Sequence, residues 1–292
     1  MYNVDIKYNE YLTKFNSFLQ TQFAGFYHRF PSVLAEAMQY AVEGGGKRVR
    51  PVLALATADM LGVDSGKIFN FALAIELIHS YSLVHDDLPA MDNDDYRRGK
   101  LSTHKKFGEA IGILAGDGLL NYAFEVCLHD KEFNQDQATA LKIIGEYAGP
   151  SGMIAGQVLD LQNEKNPAWT EEILYSIYEN KTAKLIMAPV LVASALSGGK
   201  YFDMLKEFSY NLGILFQITD DLMDEEGDLK SIGKTPHKDK EADKLTSVKV
   251  FGVEGARLRA KSHYERCKKI LDEIPDSEFL KGFTDKMYLR KS

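Results

Sequence analysis

Leu12, Phe15, Leu19 and Phe23 follow one another at steps of three and four, which lays a single apolar stripe along an amphipathic helix. The same periodicity returns through residues 51–62, 68–88, 110–128, 137–162, 170–197, 201–224 and 253–273. Few stretches alternate with period two, and β-branched residues are not clustered. The spacing therefore predicts an all-α protein of about ten helices. With 45% apolar residues in 292, the chain can build a large core, and chains of this size bury roughly 75% of their unfolded surface. Three breaks interrupt the pattern. They are Gly44-Gly45-Gly46 with the basic run Lys47-Arg48-Val49-Arg50-Pro51, then Pro89, then the polar, lysine-rich segment 227–246. Apolar helices resume on either side of each, so residues 1–292 read as one domain.

Charge and cysteine usage narrow the function. A net charge of −7 argues against a general nucleic-acid binder, because a phosphate backbone asks for a basic face. Cys127 and Cys267 match no metal spacing and no disulfide framework, which points to a reducing cytoplasm. The first residues are polar and acidic, unlike a signal peptide. No apolar run of 18 residues stands out, so no membrane span is expected.

The chemistry sits where apolar helices end. Asp86, Asp87, Asp92, Asp94 and Asp95 crowd into ten residues after the apolar run 68–85, and Arg97 and Arg98 follow. Asp86 and Asp87 stand at the negative end of the helix dipole and repel one another. A hard divalent cation relieves this, and Mg²⁺ characteristically takes one or two carboxylates plus substrate phosphates. Guanidinium forks beside it suit phosphate oxygens. On an ideal helix Asp86 and Asp92 would lie about 600° apart, on different faces. Pro89 must break the helix, and a bend there could return Asp92 toward Asp86. A solvated acidic loop is the plain alternative, and Asp94 and Asp95 fit it. A second group, Gln217-Ile-Thr-Asp220-Asp221-Leu-Met-Asp224, again closes an apolar helix, with Asp220 and Asp224 on one face. The pair suggests two metal-binding walls across one cavity.

These residues carry a resemblance. DDLPAMD with Arg97-Arg98-Gly99, and the later DDLMD, resemble the trans-isoprenyl diphosphate synthases, most closely the bacterial farnesyl diphosphate synthases (geranyltranstransferases). The likeness extends through GGGKRVRP at 44–51, FGEAIGILAGDGLL at 107–120, GMIAGQVLDL at 152–161, Lys181-Thr182 and Gly233-Lys234. It implies a single all-α bundle with a deep central cavity, normally a homodimer. It also implies head-to-tail joining of an allylic diphosphate (dimethylallyl or geranyl) to isopentenyl diphosphate, with release of pyrophosphate. By matching positions, Asp86 and Asp92 would hold two Mg²⁺ supported by Asp87, and Asp220, helped by Asp224, would hold a third. Mn²⁺ could substitute, and Asp221 completes the second motif. Arg97, Lys181 and Lys234 would grip the allylic diphosphate, and Lys244 would close over it. Lys47, Arg50, His79 and Arg98 would bind isopentenyl diphosphate. Thr182 and Gln217 would direct oxygen dipoles at the allylic cation, and segment 227–246 would serve as a lid.

Plainer readings stand beside these. Lys47 and Arg50 could be an ordinary basic loop, and the glycines lack Walker spacing. A lone His79 on an apolar helix is usually a core residue, but it shares a face with Asp86. Lys230, Lys234, Lys238, Lys240 and Lys244 could be a solvated loop, the reading that best suits Lys238 and Lys240. Gly152 and Gly156 read as close helix packing, with Gln157 and Asp160 beside the site. Tyr81 lies about 7.5 Å below Asp86 along the helix. As a cavity floor its ring would block longer chains, which Ser82 alone would not. In the resembled family an aromatic there, with the two-residue Pro-containing insertion in the first motif, implies a fifteen-carbon product and smaller residues imply twenty carbons, so geranylgeranyl diphosphate synthesis is the alternative. The family commonly carries Lys-x-Thr-Tyr-Pro after the lid, whereas this chain has Lys244-Leu245-Thr246-Ser247-Val248 and departs again at Thr235-Pro236-His237. A terpene cyclase usually replaces the second acidic triad and needs no second diphosphate site. A non-catalytic synthase subunit typically loses acidic residues.

Overall fold

A computed structural model of the chain describes residues 3–129, 133–164, 166–226 and 244–290. Helix α1 (Val4–Phe23) is capped by the Asn3 side chain and buries Tyr11, Phe15, Leu19 and Phe23, the stripe read from the sequence. A short α2 (Phe26–Arg29) leads to α3 (Ser32–Glu43), α4 (Val49–Leu61) and α5 (Ser65–Asp86). After α5 come α6 (Thr103–Phe107), α7 (Glu109–Cys127), α8 (Gln135–Ala148) and α9 (Met153–Asn163). Next is α10 (Glu171–Ile177), which passes through a π turn at Tyr178–Ala183 into α11 (Lys184–Leu196). The chain closes with α12 (Phe202–Glu226), α13 (Ser247–Asp272) and α14 (Glu278–Tyr288). The all-α expectation is met. The described strand residues are two short pieces, β1 (Tyr96–Arg97) and β2 (Lys100–Leu101), paired antiparallel.

The core is continuous from α1 to α14, with α5 packed on α4, α7 and α11, and α12 on α11 and α13. Phe71, Phe208 and Phe283 are fully buried, each contributing on the order of 2–3 kcal/mol through removal from water. Two boundaries differ from the sequence reading. The run 137–162 is two helices, because Gly149-Pro150-Ser151-Gly152 intervenes and Pro150 cannot continue α8. The last long helix starts six residues early, at Ser247, and kinks at Gly252, whose φ of 68° only glycine adopts cheaply.

Both α5 and α7 are long and apolar enough to cross a bilayer by length and composition. In α5, 67% of the apolar window is buried against other helices, as in a core helix, whereas α7 buries only 44% and presents Ile113 and Leu114 to solvent.

Candidate active site

The first acidic cluster is built by backbone. Helix α5 ends at Asp86, and the chain folds back so that the Asp92 amide donates to the Asp86 carbonyl at 2.8 Å and the Asp94 amide to that of Asp87 at 3.1 Å. Pro89 lies in this bend, which returns Asp92 to the end of α5 as the sequence suggested. Burial raises the Asp86 pKa to about 6, with Asp92 adding to the rise and Lys181, Arg97 and Lys244 opposing it. The Asp87 carboxylate is buried and accepts from Arg97 Nε at 3.0 Å and from its Nη2. Asp94, expected to be solvated, is buried beside Arg97 at 3.8 Å, while Asp95 is exposed and pairs with Lys105 at 2.9 Å.

A hairpin unforeseen in the sequence aims the two arginines. Arg98 and Gly99 form its turn with φ of 53° and 76°, the signature of a type I′ turn. Arg97 goes to Asp87, and Arg98 Nη1 donates to the Gly45 carbonyl. Gly46 beside it takes a φ of 118°, a backbone region that glycine enters without the strain a side chain would bring. The neighbouring Arg48, which sequence reasoning passed over, holds a left-handed conformation at φ 48°. It is kept there by a buried 2.7 Å bond to Glu76 Oε1 and a 2.5 Å bond to the Val42 carbonyl. A charged Glu76 inside the apolar α5 was the available signal for this partner.

Around this loop the cations gather. Burial lowers Arg50 to about 10, with Arg98 adding to the effect, and the buried Arg50 Nε has no hydrogen-bond partner. Burial holds the His79 pKa well below the usual range, reinforced by Arg50, Arg98, Arg48 and Arg97. Lys47 is exposed, and its pKa is lowered by partial burial and by Arg290, against the pull of Asp220. Like-charged groups held this close favour an incoming anion.

The opposite wall is built by side chains. Between α10 and α11, the π turn carries Lys181 and Thr182, and two glycines press on it from either side. A Cβ on Gly156 of α9 would fall 2.1 Å from the Lys181 amide nitrogen, and one on Gly213 of α12 2.5 Å from Ala183 Cα. Gly156 thus acts by close packing, as read from the sequence, and Gly213 was overlooked. Lys181 Nζ bonds Asp160 at 2.5 Å. Thr182 Oγ1 donates to Gln217 Oε1 at 2.7 Å, and Gln217 Nε2 donates to Asp221 at 3.0 Å. Asp221 is buried rather than turned to an open face. Burial raises its pKa against the opposing pull of donors from Tyr178, Gln217 and Ser247. Asp220 is half-buried and pairs with Arg290 Nη1 at 3.1 Å, and Asp224 is exposed one turn on. Arg290 also lies 4.9 Å from the Phe216 ring centroid; nothing in the tail sequence flagged it.

The two walls meet. Asp86 feels Lys181 of the π turn, whose next residue is bonded to α12, and Asp220 feels Lys47 and Arg50 across the site. Lys244 reaches the first wall, 3.5 Å from Asp92 Oδ1. Tyr81 is buried with its hydroxyl unpartnered and its ring edge-on to His85, and Ser82 Oγ donates to the His79 carbonyl. Lys234, with Lys230, Lys238, Lys240 and most of the expected lid, lies outside the described residues. Among the described residues no three His, Cys, Asp or Glu side chains already form a metal cage. The donor set instead fits an ion shared with diphosphate oxygens, because Asp86 and Asp92 are half-buried neighbours whose repulsion a cation would relieve.

A family model described as polyprenyl synthetase matches residues 31–278. The chain belongs to that family. It is 40% identical over 286 residues to the farnesyl diphosphate synthase of Haemophilus influenzae, covering 96% of each chain. Among solved structures, a geranyltransferase from Legionella pneumophila superposes with a TM-score of 0.85 at 30% identity, over 98% of both chains. A Helicobacter pylori geranyltransferase complexed with magnesium and isoprenyl diphosphate gives 0.82 at 32% identity, over 96% of this chain and 94% of that one. This polyprenyl synthetase is a prenyltransferase, an enzyme of prenyl-chain condensation.

Proposed function

We propose that the chain joins isopentenyl diphosphate head to tail with dimethylallyl or geranyl diphosphate, giving farnesyl diphosphate and pyrophosphate. The observation that carries this reading is the juxtaposition of two diphosphate-sized cationic clusters with two acidic helix ends. Lys47, Arg50, His79 and Arg98 form one cluster, which receives isopentenyl diphosphate; Arg97, Lys181 and Lys244 form the other, which serves the allylic diphosphate, and Lys234, outside the described residues, is assigned to it by the family motif alone. Asp86 and Asp92 would hold magnesium on one wall, supported through Asp87, and Asp220 and Asp224 on the other, three ions in all, with Mn²⁺ a possible substitute. When bound, the metal supplies charge neutralisation that makes diphosphate a competent leaving group. Lys181 and Arg97 add fixed positive charge where negative charge develops as the allylic C–O bond breaks. Thr182 and Gln217 face the resulting cation with oxygen dipoles. The alkene of isopentenyl diphosphate then forms the new C–C bond, and the lost proton goes to pyrophosphate.

Tyr81 is the reading's floor. Its buried ring below Asp86 supports a fifteen-carbon product over geranylgeranyl diphosphate. The continuous core supports a single domain over 1–292. Exposed Ile113 and Leu114 on α7, with Ile154, Val158 and Leu161 on α9, support burial against a second copy in a homodimer. Buried Cys127 and Cys267, far apart in the chain, fit a reducing cytoplasm.

Incubation with Mg²⁺, isopentenyl diphosphate and either allylic primer tests the reading. Consumption of both substrates into linear farnesyl diphosphate supports it. A cyclic hydrocarbon would indicate a cyclase, and no turnover a non-catalytic subunit. Tyr81→Ala should lengthen the product on chromatography of the dephosphorylated alcohols; an unchanged chain distribution would remove Tyr81 from the role.

A further inference from the structure

Asp221 has a role that its position in an acidic metal motif conceals. Its carboxylate is buried, and four donors converge on it. Oδ1 accepts from Gln217 Nε2 at 3.0 Å. Oδ2 accepts from the Ser247 amide at 2.7 Å, from Ser247 Oγ at 2.8 Å and from the Tyr178 hydroxyl. The Ser247 amide is also 2.6 Å from the Tyr178 oxygen. Tyr178 opens the π turn and Ser247 opens α13, so three elements converge on one carboxylate. Ser247 stands where the resembled family commonly has tyrosine, and it is fully buried.

The carboxylate decides which way Gln217 points. A carboxylate only accepts, so Gln217 must turn its NH₂ toward Asp221 and its carbonyl oxygen away. That oxygen takes the Thr182 hydroxyl proton at 2.7 Å. Thr182 thereby spends its proton on Gln217, and each of the two oxygens keeps acceptor capacity beyond that bond. We propose that Asp221 is a positioning residue: held by Ser247 and Tyr178, it locks the Gln217 amide so that Gln217 and Thr182 present oxygen, never N–H, to the allylic cation. This rests on the condensation reading above.

Substitution with asparagine reverses the lock in a predictable direction. In Asp221→Asn, the donors from Ser247 and Tyr178 outnumber the one from Gln217, so the new amide turns its oxygen to them and its NH₂ to residue 217. Gln217 must then flip, aiming its own NH₂ at Thr182 and the site. The expected result is a kcat roughly 100-fold lower, the scale of one misaligned electrostatic group, with KM for isopentenyl diphosphate within about twofold. Adding Gln217→Glu restores an acceptor at both ends, since glutamate accepts from the asparagine NH₂ and from Thr182. The double variant should recover at least about tenfold in kcat over Asp221→Asn, whereas Gln217→Glu alone sets two carboxylates together and should be worse than the double. A merely structural role would give no such rescue. Ser247→Ala, a milder change, should lower kcat about three- to tenfold. Urea unfolding of wild type, Asp221→Asn, Gln217→Glu and the double variant checks the contact independently of turnover, and the two substitutions should be less destabilising together than their sum. A kcat within threefold of wild type for Asp221→Asn, or a loss without rescue, overturns the proposal. A wild-type protein without condensing activity overturns the condensation reading and the catalytic role with it, while non-additive unfolding would still report the Asp221–Gln217 contact.

Discussion

The two acidic helix ends look alike in the sequence and are built in opposite ways. The first leaves its helix: the chain bends at Pro89, and its own backbone bonds return Asp92 to Asp86. The second stays helical and draws its order from outside, through Thr182, Tyr178 and Ser247 on other elements. The first is therefore a local structure, readable from a short stretch. The second is a tertiary structure, and its integrity depends on how α9, α12, α13 and the π turn are packed.

Substitutions can separate the two. The largest effect is expected where the walls are equivalent: Asp86→Asn and Asp220→Asn should each lower kcat by roughly 10³-fold, as for loss of a principal electrostatic group. A loss confined to one of them in steady-state assays would show that only one wall serves the chemistry. Next, Gly213→Ala forces a methyl against Ala183. It should cost about 1–3 kcal/mol in urea unfolding and, by displacing Thr182 and Gln217, roughly 100-fold in kcat. Full activity in that variant would mean the second wall tolerates displacement. Pro89→Ala disturbs only the first end. It should lower kcat about tenfold, and stability by about 0.4–1 kcal/mol through a freer unfolded chain; a larger destabilisation would show that the bend supports the core.

The smallest effect is a pH dependence confined to the support of the second wall. His263 of α13 bonds Asn211 of α12 at 2.8 Å, and burial lowers its pKa to about 4. The unfolded chain takes up that proton near pH 6.5. Between pH 6.5 and 4 the unfolded state binds more protons, so stability falls as pH falls through that window. His263→Gln should flatten the decline, and parallel unfolding profiles for the two proteins from pH 7 to 4.5 would exclude it.

What the sequence made legible follows the same divide. Helix periodicity and the fold-back at Pro89 could be anticipated, because each rests on local spacing, whereas the grouping of Lys47, Arg50, His79 and Arg98, which stand on separate elements, came only from the family resemblance. The π turn could not be anticipated, since one extra residue hardly disturbs an apolar pattern that continues on both sides. Gly213 lay in plain view, yet its meaning depends on Ala183, thirty residues earlier in the chain. Arg290 and the inward turn of Asp221 needed the packed helices. Gly149-Pro150 was a visible break that the apolar periodicity of 137–162 masked.

The glycines flanking the π turn set terms for anyone wishing to redesign this enzyme. At Tyr81 a buried ring stands on an ordinary helical backbone, which other residues can also adopt. At Gly156 and Gly213 main chain rests on main chain, and no rotamer exists that could give way. A library randomised at all three positions should return variety at the first and glycine alone at the other two.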